Sequence, residues 1–150
     1  CLCVCRCRCL CLCLCLCLPD IIEVAKVILA AGKIDFLDMS LWDSFKEPED
    51  EAFKGCSLLS YFTELERGDV ALGIAGKLRN PDEVNRAMAA GIDFIMLGRA
   101  AILHHDFPLQ MQADQDFTPV RNPVSADYLR AEGLGEAFIT YMSGWKGFVG

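Results

Sequence analysis

After residue 18 the chain has one cysteine, Cys56, and two histidines, His104 and His105. Basic residues are scarce as well: the 132 residues from Pro19 onward carry 12 Lys and Arg against 21 Asp and Glu. Each shortage excludes something. One cysteine cannot build a disulfide framework. An acidic balance without clustered Lys and Arg argues against a nucleic-acid backbone as partner and suits a cytoplasmic-type protein. Several fingerprints are missing. No G-x-G-x-x-G opens a helix, which weakens a Rossmann nucleotide site, and there is no G-x-x-x-x-G-K-[ST] and no G-x-S-x-G.

The first eighteen residues differ from the rest. Cysteine occupies every odd position from Cys1 to Cys17, alternating with Leu, Val or Arg. Neighbouring odd positions on one strand cannot bring their Cβ vectors together for a disulfide, and a zinc site favours C-x-x-C pairs. Arg6 and Arg8 interrupt the run as a membrane span, and Pro19-Asp20 is a poor signal-cleavage site. Residues 1–18 are therefore read as a low-complexity segment fused to a truncated domain, with metal and membrane roles as alternatives. The expected domain covers residues 19–150.

Within it the hydrophobic period alternates between helix and strand. Ile21, Ile22, Val24, Ala25, Ile28 and Leu29 form an apolar helical stripe over 20–31, which Gly32 is placed to end. Residues 34–39 read as a strand, 41–55 as an acidic loop containing Pro48, 57–67 as a helix and 69–75 as a second, almost continuously apolar strand. Asn80-Pro81-Asp82-Glu83 is a strong helix start, with an N-cap, a proline at the first turn and acids beside the positive end. That helix is expected to end at Gly91, followed by a strand over 93–97 and a helix from Arg99 to Leu103. The polar stretch 104–123 reads as irregular, with helices expected over 125–130 and 135–142. Strands alternating with helices imply parallel strands joined by crossovers. Ile34-Asp35-Phe36 and Ile92-Asp93-Phe94 repeat 58 residues apart with one strand between them, the period of two βα modules.

Two strand ends carry chemistry. Ala75-Gly76-Lys77 lies at the C-terminal end of the second expected strand, and Gly98-Arg99 at the end of the third. Glycine lets a backbone approach an anion closely, a following helix start favours phosphate, and lysine or arginine adds a charge-assisted contact. Ligands of parallel barrels sit at these strand ends, so the pair is expected to form one phosphate pocket. His104, His105 and Asp106 are less promising as metal ligands, because adjacent histidines on a loop diverge. Glu47, Glu49, Asp50 and Glu51 read as a solvated loop, and Trp145 and Phe148 as residues that pack down the terminus. Cys56 lies near a helix start, with nothing beside it to support a reactive thiol.

Residues 35–42 (DFLDMSLW), Ala75-Gly76-Lys77 and 91–100 (GIDFIMLGRA) resemble the last three strands of the NADH:flavin oxidoreductase (Old Yellow Enzyme) family. The resemblance covers about residues 19–150. It implies the C-terminal part, about three βα units, of a TIM (β/α)8 barrel that binds FMN, takes hydride from NADH or NADPH and passes it to a small-molecule acceptor such as an activated alkene. It also implies that Ala75, Gly76, Lys77, Gly98 and Arg99 hold the FMN phosphate, with Arg99 pairing to it. The family's substrate-binding and proton-donating residues lie on earlier strands, which have no counterpart here, so no catalytic residue is assigned and the isolated piece is expected to be inactive. A full barrel needs about 250 residues. A different phosphate-binding barrel enzyme and a non-catalytic truncated product remain as alternatives.

Overall fold

The computed structural model describes residues 17–150. Most of the cysteine-leucine segment, and the readings made of it, lie outside the described residues. Of its last two residues, Cys17 caps the first helix and Leu18 opens it. The helix α1 spans Leu18–Ala30, Leu18 is buried, and the Cys17 backbone N–H and Sγ both donate to the Asp20 carboxylate, at 3.2 and 3.0 Å. The helix thus starts two residues before the expected position, because Leu18 supplies a buried apolar anchor just ahead of Pro19.

The described elements run α1, β1 (Phe36–Ser40), a 3-10 turn (Glu51–Phe53), α2 (Leu58–Thr63), β2 (Ala71–Ala75), α3 (Pro81–Ala89), β3 (Phe94–Ile95), α4 (Arg99–Leu103), α5 (Phe107–Ala113), α6 (Ala126–Ala131) and α7 (Glu136–Ser143). The protein is mixed α/β, with a three-stranded parallel sheet in the order β1-β2-β3. The alternation expected from the sequence is present as far as α4. The chain divides into two units. The first runs up to Lys77 and includes Asn85–Met96; the second comprises Leu78–Val84 and Leu97–Gly150.

The first unit holds the sheet. β2 is its centre, with Leu72, Gly73 and Ile74 all buried, as a parallel strand covered on both faces requires. β1 alternates instead: Phe36, Asp38 and Ser40 are exposed, while Leu37 and Met39 are half-buried. The repeated Ile-Asp-Phe triplets lead into the two flanking strands, so Phe36 and Phe94 meet edge-to-face, centroids 5.8 Å apart, across the middle strand. Gly73 makes this possible, since a Cβ there would lie 2.1 Å from the Phe94 ring.

Two elements fall furthest short of their sequence pattern. α2 stops at Thr63 rather than Arg67, and β3 has two residues rather than five. Arg67 accounts for much of this. It is drawn out of helical continuation by three acceptors, the Val70 carbonyl (2.8 Å), the Asp93 carboxylate (2.5 Å) and the Gly91 carbonyl (2.9 Å). Asp93 also accepts from the Leu72 amide at 2.7 Å, so its side chain stands in for ladder pairing where β3 begins.

The second unit has its own core of Leu103, Val124, Leu129, Ile139, Met142 and Phe148. Phe148 packs down the terminus as expected, whereas Trp145 stays 44% exposed. Ser125 caps α6 by accepting from the Tyr128 amide at 3.1 Å, and Gly135 precedes α7. The helix α5 corrects the reading of 104–123 as irregular. Pro108 in its first turn and the buried Phe107 were the available signals, but the surrounding polar residues obscured them. No helix among the described residues is long and apolar enough to cross a membrane.

Candidate functional site

The residues of the expected phosphate pocket fall in different units: Ala75, Gly76 and Lys77 in the first, Gly98 and Arg99 in the second.

In the first unit, the loop after β1 folds over the end of β2. The Leu41 amide donates to the Ala75 carbonyl (2.7 Å), and the Ser44 amide and hydroxyl both donate to the Gly76 carbonyl (3.1 and 2.8 Å). Ser44 is fully buried. A Cβ on Gly76 would stand 2.6 Å from Ser44 Oγ and 2.7 Å from the Leu41 carbonyl oxygen, so glycine is needed here for approach by the protein's own backbone. Lys77 has φ 54°, the one non-glycine residue among those described with positive φ. Its ammonium is committed within the unit, 3.0 Å from Asp43 Oδ2 and 5.9 Å from the Trp42 ring centroid. Burial raises the Asp43 pKa, but the hydrogen bond and charge of Lys77, with the Phe45 and Lys46 amides, outweigh it and hold the carboxyl below its ordinary value.

In the second unit, Gly98 caps α4 and Arg99 is its first residue. Nothing lies within 4 Å of where a Gly98 Cβ would stand. Both residues are exposed, and the Arg99 guanidinium has no carboxylate within salt-bridge distance among the described residues. Arg99 lines a cleft of about 700 Å³ together with Arg79, Asp82, His104, Asp116 and Arg121, among others. The sequence reading missed Arg79, Arg121 and His104 as members of such a site. An arginine that ends without a partner cannot be told from a paired one by its neighbours in sequence.

The adjacent histidines diverge as expected. His104 is buried and turns inward, its Nε2 accepting from the Val120 amide at 2.9 Å, so this nitrogen carries a lone pair. Phe117 stands edge-on to it at 5.0 Å. Beside it, the Tyr128 hydroxyl donates to the Leu103 carbonyl at 2.7 Å; burial, then the Glu132 and Asp106 charges, push its pKa up to about 12. His105 turns outward, its backbone N–H and Nδ1 both bonded to Glu132 Oε2, at 2.9 and 2.8 Å. His105, Asp106 and Glu132 place potential ligand atoms within 4.8 Å of one another. The histidine and Glu132 already satisfy each other as an ion pair, and Asp106 accepts from Gln110 Nε2.

Comparison with family models, with curated proteins and with solved structures gives no match for this chain.

Proposed function

We propose that the chain is the C-terminal part of an FMN-dependent (β/α)8-barrel oxidoreductase of the Old Yellow Enzyme type. In this reading Gly98 and Arg99, where the chain leaves β3, hold the flavin phosphate. The carrying observation is the state of these two residues among those described: a glycine with open space above it, followed by an exposed arginine without a carboxylate partner. That donor set suits a phosphomonoester, which needs close backbone approach and a planar cation with paired N–H groups. The family resemblance adds Ala75, Gly76 and Lys77 to the phosphate site. In this structure Gly76 serves the loop after β1 and Lys77 is paired with Asp43, so the phosphate charge falls to Arg99.

Bound FMN would supply hydride transfer, from NADH or NADPH to a small acceptor of the activated-alkene class. The residues of this chain bind and orient; proton donation and acceptor binding are assigned to earlier strands. Three parallel strands with one flank exposed at Phe36, Asp38 and Ser40 accord with a part of a larger sheet.

Titration with FMN and riboflavin, followed by flavin fluorescence, tests the reading. FMN is expected to bind at least tenfold more tightly than riboflavin, with Arg99→Gln removing about that factor, since a hydrogen bond to a charged group is worth roughly 1.5–3 kcal/mol. Equal affinity for both flavins, or binding of neither, would refute it.

A further inference from the structure

The six arginines among the described residues divide sharply by partner. Arg67 pairs with Asp93, Arg130 pairs with Asp127 and Glu136, and Arg86 lies over the Phe45 ring, 4.0 Å from its centroid. The other three, Arg79, Arg99 and Arg121, have neither a carboxylate within salt-bridge distance nor a side-chain hydrogen bond among the described residues. All three line the same cleft of the second unit. In a segment with 21 acids to 12 bases, three guanidiniums on one cleft have no carboxylate within salt-bridge distance among the described residues. We propose that Arg79 and Arg121 act with Arg99 as ligands of a single phosphomonoester dianion in this cleft. Arg99 is shared with the flavin reading; Arg79 and Arg121 go beyond it, and the site stands for any phosphomonoester, flavin-bearing or not.

The backbones that carry these arginines are held while their side chains stay exposed. The Arg79 amide donates to Glu83 Oε2 at 2.6 Å, and the Glu83 amide donates to Asn80 Oδ1 at 2.9 Å, fixing Arg79 just ahead of α3. Arg99 is pinned by its neighbour Ala100, which is buried. Arg121 follows Val120, whose amide is bound by the buried His104. A guanidinium on a fixed backbone loses less freedom when it closes on a ligand. Asp82, Glu83 and Asp116 also line the cleft, so its charges nearly balance and it has no strong long-range attraction for anions. Selection must come from direct contact, which favours a compact dianion that several guanidiniums engage at once, over a singly charged carboxylate.

The test is calorimetric titration of the full chain, and of Arg79→Gln, Arg121→Gln and the charge-retaining Arg121→Lys, with inorganic phosphate, FMN and riboflavin. Thermal melts check that each variant folds. The expected result is that phosphate and FMN both bind the parent, that each Gln variant weakens both by about tenfold, and that Arg121→Lys recovers part of the loss. If phosphate binding depends on Arg79 and Arg121 while FMN binds no better than phosphate, the cleft assignment holds and the flavin reading fails. If FMN binding depends on Arg99 and both Gln variants match the parent, the flavin reading holds and this inference is overturned. Failure of the folded parent to bind phosphate or FMN at millimolar concentration would also overturn it.

Discussion

Gly76 and Gly98 look alike in the sequence, since each ends a β-strand and precedes a cation. In the structure they do opposite things. Gly76 is enclosed by Ser44 and the Leu41 carbonyl, and the lysine after it is paired with Asp43. Among the described residues, Gly98 has open space above it, and the arginine after it is unpaired. A glycine-cation motif therefore marks a place where backbone comes close to something. Whether that something is the protein or a ligand depends on the loop that folds across it.

The largest effect that separates the two is on stability. Gly76→Ala drives a methyl against a backbone oxygen that cannot move aside, at a positive φ. Overpacking and backbone strain each cost about 1–3 kcal/mol, so a loss of about 4 kcal/mol is expected in denaturant unfolding. Gly98→Ala meets no atom within 4 Å among the described residues, so its loss is expected to stay within about 0.5 kcal/mol. Equal losses at both positions would dissolve the distinction.

Gly73→Ala comes next. Its methyl would meet the Phe94 ring, a side chain that can swing away, so a loss of about 2 kcal/mol is expected. A second change, Phe94→Leu, should recover part of it in the same unfolding measurement.

Lys77–Asp43 in the first unit and His105–Glu132 in the second are ion pairs that respond to pH differently. Asp43 in the first unit has a lowered pKa. Its contribution is present above the ordinary value of 3.8 and is lost as pH falls through the depressed folded value. In the second unit, the hydrogen bond from His105 to Glu132, helped by the Asp106 and Glu132 charges, raises the histidine pKa against the opposing effect of burial. Its contribution is complete below 6.5 and fades as pH rises through the raised folded value. Burial raises the Glu132 pKa, but the bonds from His105 outweigh it and keep the carboxyl below 4.5, so the pair is strongest between these two values. Unfolding curves from pH 4 to pH 9 should show the stability gap between parent and His105→Gln narrowing at high pH, while the gap to Asp43→Asn persists. A pH-independent His105→Gln gap would count against this pairing.

The smallest effect concerns Lys77. Lys77→Gly loses a half-exposed ion pair worth about 0–1 kcal/mol and relieves left-handed backbone strain of about 1 kcal/mol, so the melting temperature should barely move. FMN affinity should change less than for Arg99→Gln; an equal loss would return Lys77 to the phosphate.

The sequence made much of the fold legible. Pro81 and Asn80 mark the start of α3, Ser125 marks α6, and the Ile-Asp-Phe repeat marks the approach to two strands. Less was readable where a distant contact overrides local pattern. Leu65 continues the apolar stripe of α2, yet Arg67 bonds to residues more than twenty positions away and the helix stops short. β3 reads as five residues because Asp93 leads straight into a four-residue apolar run, but Asp93 takes up the Leu72 amide with a carboxylate. At the candidate site Arg99 was legible by its place after a strand and a glycine. Arg79 and Arg121 were not, because being unpaired is a property of space and not of sequence neighbours.

The Arg67 contacts have a consequence for which residues this position tolerates. One planar side chain spans a turn, a helix end and the start of a strand, and it does so because its N–H groups diverge in a fixed fork. Lysine carries the same charge on a single nitrogen and cannot reproduce that spread. The margin of the sheet opposite the strand ends is thus secured by the shape of one cation more than by its charge, and a charge-conserving exchange there would unfasten it.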